Sequence, residues 1–255
     1  MVAKNINSEI ITLANSLRAK YQKKLNNTFI WFSLSHDAIG EARNNEDFIS
    51  QSRIEVPSLR SGKTVKRKKE DLISILTTAY DKELIYTIFS HLTSQMEHFL
   101  YELIEGVLLI DNRRIKLKTN KIKFIDSIDV GTILNADGHV DIIKKIIDAN
   151  LMAVFYASPD KQFEYINTVF SIENDEKLDK YIQKWKEFKA ARDIIIHNNG
   201  IINELYIKKS GEYARGEVGE ELLINKDDVG DLLKYLKSII GKLCTNIKNK
   251  NKSKD

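Results

Sequence analysis

Apolar residues recur along this chain every three or four positions. Ile10, Leu13, Leu17, Tyr21 and Leu25 form one such stripe, with Ser8 placed to cap it, and helical character resumes after Phe29–Leu34 to about Arg43. Residues 44–69 hold Pro57, Gly62 and the run Lys66-Arg67-Lys68-Lys69, and read as a loop. The strongest periodicity follows, from Leu84 through Ile88, Leu92, Met96, Phe99 and Leu103 to Val107, and predicts one helix over about 82–109. A further helix is expected over 140–153. Ser158-Pro159 reads as N-cap and first helical position of the next. Asp175 is the expected N-cap of a helix whose stripe runs Leu178, Tyr181, Ile182, Trp185, Phe188, Arg192, Ile195. Residues 205–224 contain Gly211, Gly216 and Gly219 and suggest a short hairpin or long loop. Asp227 or Asp228 opens the last helix, with Val229, Leu232, Leu236, Ile239, Ile240 and Leu243 on its apolar face.

The pattern predicts an all-α bundle. Its expected parts are an N-terminal helical extension with a basic loop (1–80), a helical domain (81–247) and a charged tail (248–255). Two prolines and 11 glycines fit long helices better than a turn-rich β fold.

Arginine at 192 breaks the stripe of its helix. An arginine on an apolar face needs an anion, a carboxylate or an opening. Five residues later comes His197, then Asn198-Asn199-Gly200, residue types that tolerate the left-handed conformation of a helix end. A guanidinium can hold a phosphate and an imidazole can move the proton of a ribose 2′-OH, so the pair can cut RNA without a metal. On a continuous helix the two side chains lie about 140° apart. A two-fold pairing of this helix brings two arginines and two histidines into one cleft. The pattern Arg-x4-His is permissive, and a salt-bridged arginine beside a helix-capping histidine gives the same spacing.

The segment Arg192-Asp193-x3-His197, continuing Asn198-Asn199-Gly200-Ile201-Ile202-Asn203, resembles the HEPN family, and within it a bacterial subgroup with a His-Asn-Asn-Gly run. The resemblance spans roughly 81–247. It implies a helical domain that dimerises through the motif helix. It also implies metal-independent endoribonuclease activity of the kind found in toxin–antitoxin and anti-phage systems. Arg192, His197 and Asp193 would be the catalytic residues. Other members serve as non-catalytic binding or dimerisation modules, and that alternative stays open here. Possible partners are RNA and an antitoxin or ATPase. One toxin subgroup carries a tyrosine two residues after the histidine as a site of nucleotide attachment. Here that position is Asn199, so control by that route is not expected.

Charge and composition sharpen this little. A net charge of +4 with pI near 8.8 is only mildly basic. Lys66, Arg67, Arg113 and Arg114 are candidates for guiding an RNA backbone, with Asn198 and Asn199 as lesser phosphate contacts or simple caps. His91 and His98, seven apart beside Glu97, lack the spacing of a two-histidine metal site, so no metal or other cofactor is expected. Ser35-His36-Asp37 are adjacent on a helix and diverge, which excludes a triad among themselves. No Gly-rich phosphate loop occurs. A single cysteine (Cys244), no 18-residue apolar run and no signal-peptide core at Met1–Asn7 suggest a cytoplasmic protein without a membrane span.

Overall fold

The computed structural model describes residues 2–51, 55–57, 64–66, 68–125 and 127–252. Helices dominate it. Helix α1 (Val2–Arg43) is followed by α2 (Glu46–Gln51), then β1 (Glu55–Pro57) and β2 (Thr64–Lys66). Helices α3 (Lys69–Thr78), α4 (Leu84–Ile110), α5 (Val130–Leu134), α6 (His139–Tyr156) and α7 (Pro159–Phe170) come next. The chain ends with α8 (Glu176–His197), α9 (Glu204–Ser210) and α10 (Lys226–Lys252). The all-α expectation holds.

Helix α4 is the hub. It has buried residues on most of its circumference, from Ile85 to Leu108. Helices α1, α6, α8 and α10 pack around it. Ile10, Ala14, Leu17, Tyr21, Leu25 and Phe32 of α1 belong to the same hydrophobic core as α4 and α10. The stretch expected as an extension is therefore built into the bundle. Gly106 shows how close α1 and α4 come, since a Cβ there would lie 2.7 Å from Leu13 Cδ2. A polar clamp reinforces the pair, with Lys20 and the Tyr21 hydroxyl both donating to Glu102 (2.7–2.9 Å).

Several segments differ from the sequence expectation. Helix α1 runs unbroken from Val2, so Ser8 lies inside it and does not cap it, and α10 continues to Lys252, into the expected tail. The region read as a loop over 44–69 contains α2 and an antiparallel hairpin with Val56 opposite Val65. Two short valine-bearing runs, one ending at Pro57 and the other following Gly62, have the composition of such a hairpin. The region 205–224 is helical at its start. Asn203 caps α9 by accepting from the Tyr206 amide (2.9 Å), and Gly211, at φ 55°, ends it. Helix α3 also runs into α4 without a break, through a π turn at Ala79–Glu83. There the Arg43 guanidinium lies 3.9 Å from the Tyr80 ring centroid.

Candidate functional site

Asp175 starts α8 as its sequence predicts, accepting from the Leu178 amide at 2.9 Å. The helix then stays α-helical through His197. Its end is held by a compact turn. The amides of Asn198 and Gly200 both donate to Ile194 O (2.9 Å), Asn199 sits at φ 49° and Gly200 at φ 75°. Asn198 donates its side-chain amide to Ile201 O at 2.6 Å. Gly200 O accepts from the Leu222 amide (2.7 Å), and Ile202 exchanges bonds with Gly219 and Glu220. Asn198 and Asn199 thus have definite structural work at the helix end.

Arg192 occupies the position its stripe implied. Its side chain is 26% exposed, and Nη1 meets Asp193 Oδ1 at 3.4 Å. Its Nε is buried with no partner. The guanidinium borders a groove of about 640 Å³ between α4, the α6–α7 corner, α8 and α9. Three ion pairs line this groove: Lys186–Asp160 (2.9 Å), Lys189–Glu97 (2.9 Å) and Lys209–Asp193 (3.0 Å). Lys208 also lines it and has no ion pair among the described residues.

His197 is exposed and makes no hydrogen bond among the described residues. It borders a separate hollow of about 300 Å³, walled by α9 through Leu205, Tyr206 and Lys209. Ala190, Asp193, Leu205 and Lys209 border both concavities. Arg192 and His197 are therefore neighbours across Asp193, on different sides of one ridge. Because α8 does not unwind before His197, the roughly 140° between them remains within one chain.

The outlying basic candidates are not gathered here. Arg114 is committed to the fold: its Nε donates to Asp111 at 3.2 Å and its Nη1 to Val169 O at 2.6 Å. Arg113 also bonds Asp111 (2.6 Å) but is 72% exposed. Asp111, just past the end of α4, lies 14 residues beyond Glu97, about 21 Å along the helix axis. The Lys66 side chain and all of Arg67 lie outside the described residues. Of the other histidines, His91 is engaged with Gln95 at 2.7 Å, and burial and nearby Lys24 hold its pKa below the usual value. His36 is buried against Tyr80, ring centroids 4.0 Å apart.

Sequence reading missed the support behind the ridge. Glu187 is fully buried, one helical turn before Ala191. Arg215 grips it at 2.7 and 3.3 Å, Lys184 at 3.2 Å, and the Tyr206 hydroxyl donates to it at 3.2 Å. Arg215 reaches on to Asp228 at 2.7 Å, so one network joins α8, α9 and the start of α10. Burial and the Glu187 charge push the Tyr206 hydroxyl up to about 12, so it remains a donor. Compared with known protein families, curated proteins and solved structures, the chain matches none.

Proposed function

We propose that this protein is a metal-independent endoribonuclease of the HEPN type, working as a homodimer. The observation that carries the reading is that the fold consumes neither Arg192 nor His197. One has a buried nitrogen without a partner, and the other is an exposed imidazole without an internal bond. Arg192 Nε is one of 11 buried side-chain polar atoms without an internal partner among the described residues, and it belongs to a cation that cannot shed its charge, which supports a ligand or a second chain there.

In the proposed reaction His197 takes the proton of a ribose 2′-OH or gives one to the leaving 5′-oxygen, and solvent serves for the other transfer. The 2′-oxygen attacks the adjacent phosphorus while the 5′-oxygen leaves and takes up a proton. Arg192 offsets the charge that builds on the phosphorane oxygens. The products are a 2′,3′-cyclic phosphate and a 5′-hydroxyl. Asp193, between Arg192 Nη1 and Lys209, orients the guanidinium. A second copy brings its His197 toward the first chain's Arg192. Arg113 and the basic residues Lys66 and Arg67 would act farther along the RNA backbone, and Asn198 and Asn199 near the cut. A role as a toxin or anti-phage effector in the cytoplasm, with an antitoxin or ATPase as partner, fits this chemistry.

A defined end-labelled RNA in excess EDTA tests the reading. Cleavage should persist, fall about 10²–10⁴-fold in His197→Ala, and also fail in Arg192→Lys, because an ammonium lacks the guanidinium's bidentate fork. Mixed dimers of Arg192→Ala with His197→Ala should exceed either mutant homodimer. Full cleavage by the His197→Ala homodimer, or an absolute need for a divalent metal, would overturn it.

One observation favours a second reading. Ile196 (50% exposed), Ile201 (39%) and Leu205 (57%) surround the motif and suit a docking face. A non-catalytic module would lose assembly in Leu205→Asp and show no cleavage by any variant.

A further inference from the structure

The groove beside Arg192 carries an aromatic side chain that the core does not use. Tyr156 is the last residue of α6 and is 87% exposed. Its position is fixed from behind. Gln162, 1% exposed, donates its side-chain amide to Phe155 O (3.3 Å) and Ala157 O (3.0 Å), which pins the α6–α7 corner on either side of Tyr156. Phe155 is held by Tyr101, ring centroids 5.6 Å apart. A rigid corner thus presents a free aromatic ring, with Leu205 on the facing wall.

The charge along the same wall is unbalanced. The three ion pairs cancel, and the remaining cations are Lys208 and Arg192, which has only a 3.4 Å share of Asp193. An open aromatic and two surplus cations on one groove match a nucleotide chain, in which a flat base lies beside phosphates. A base inside an A-form duplex is stacked on both faces and cannot offer one to Tyr156.

Resting on the nuclease reading, we infer that this groove takes single-stranded RNA, stacks one unpaired base on Tyr156 and holds the neighbouring phosphates with Lys208 and Arg192. The motif would then cut beside an unpaired nucleotide, and Tyr156 would set that preference.

The test uses the full chain in the His197→Ala background and an unstructured oligoribonucleotide carrying 2-aminopurine, alone and annealed to its complement. The single strand should bind more tightly than the duplex, and its fluorescence should be quenched on binding. Tyr156→Ala should weaken single-strand binding about 5- to 150-fold, the range for one base–aromatic stack, and abolish the quench, while Tyr156→Phe keeps both. Lys208→Ala should flatten the salt dependence by about 0.7, one single-strand phosphate. Unchanged affinity in Tyr156→Ala, equal affinity for the duplex, or equal displacement by an acidic polypeptide would overturn the proposal. The two readings fail separately. Undiminished cleavage by Tyr156→Ala in the His197 protein would remove the stacking role and leave the nuclease. Tyr156-dependent binding without cleavage by any His197 form would remove the nuclease and leave the groove. Absence of both binding and cleavage would remove both.

Discussion

Replacing Glu187 by alanine should loosen the wall of the His197 hollow before it loosens the rest of the bundle. The carboxylate is fully buried, and Arg215 beside it is 14% exposed. Breaking a buried ion pair from one side costs about 3–5 kcal/mol, because the remaining charge is left in a poor solvent. Here Arg215 keeps Asp228 at 2.7 Å, which places the charge contribution near the bottom of that range, about 3 kcal/mol. The Tyr206 hydroxyl also loses the acceptor it donates to, at about 1 kcal/mol. Glu187→Ala should therefore cost about 4 kcal/mol, and Glu187→Gln, which keeps the volume and an acceptor, roughly half as much.

Urea unfolding followed by far-UV circular dichroism measures the total. Amide hydrogen exchange locates it: protection over Glu204–Ser210 should fall further than protection in α4. Arg215→Ala should cost a comparable amount, and the double variant less than the sum by at least about 1.5 kcal/mol, because the two residues share one network. A loss under about 1 kcal/mol for Glu187→Ala, or strict additivity in the cycle, would show that the network does not hold α9.

Gly200→Ala should cost about 2–5 kcal/mol, from the left-handed backbone and from a Cβ forced to 2.7 Å from the Tyr86 hydroxyl. In a Tyr86→Leu background the cost should drop toward the backbone contribution alone, and an equal cost in both would refute the steric account. Hydrogen bonding from Arg113 holds the Asp111 carboxyl below the usual range; burial opposes this and Arg114 adds to it. A depressed folded pKa gives stability that is fully present above the unfolded value, about 3.9, and lost as pH falls through the folded one. The stability gap between the protein and Asp111→Asn should thus narrow below about pH 4, and a gap independent of pH would contradict the pairing. Deleting residues 1–43 should abolish cooperative thermal unfolding, since it strips α4 and α10 of their shared neighbour. A folded, cooperative remainder would show that α1 is an accessory.

The periodic stripes of α8 and α10 were legible because each buries one face, and spacing records that face directly; α4, buried over most of its circumference, stood out by its long run of apolar positions. Spacing does not name the neighbour. Ile10 to Phe32 announced a helix with an apolar side, but nothing local said that α4 and α10 would cover it. Helix α9 was missed for a different reason. It has seven residues, and Gly211 just beyond it dominated the reading of a segment whose helix signal was only Asn203 and the buried Tyr206. Glu187 was invisible to pattern reading, which counts every glutamate as surface. Its partner Arg215 lies 28 residues on, inside what read as a loop. Tyr156 lies beyond the helix expected over 140–153, and its exposure depends on where the α6–α7 corner turns.

Arg192 was the legible anomaly, and its setting gives it weight. Elsewhere the chain satisfies its buried ionic groups generously: Glu187 has Arg215, Lys184 and Tyr206, and Asp111 has two arginines. Among the described residues no other arginine or lysine nitrogen is buried without a partner. A lysine or carboxyl in that position could relieve the cost by shifting its protonation, but a guanidinium stays charged at any pH a protein meets. Salt bridging to Asp193 at 3.4 Å is shared with Lys209 and leaves Nε without a hydrogen-bond partner. On the proposed reading, something outside the single chain completes this cation. A phosphate in the groove and a second copy across α8 both would, and the mixed-dimer experiment separates them. Rescue requires the second copy, whereas a phosphate bound within one chain leaves each mutant subunit as defective in the mixture as alone.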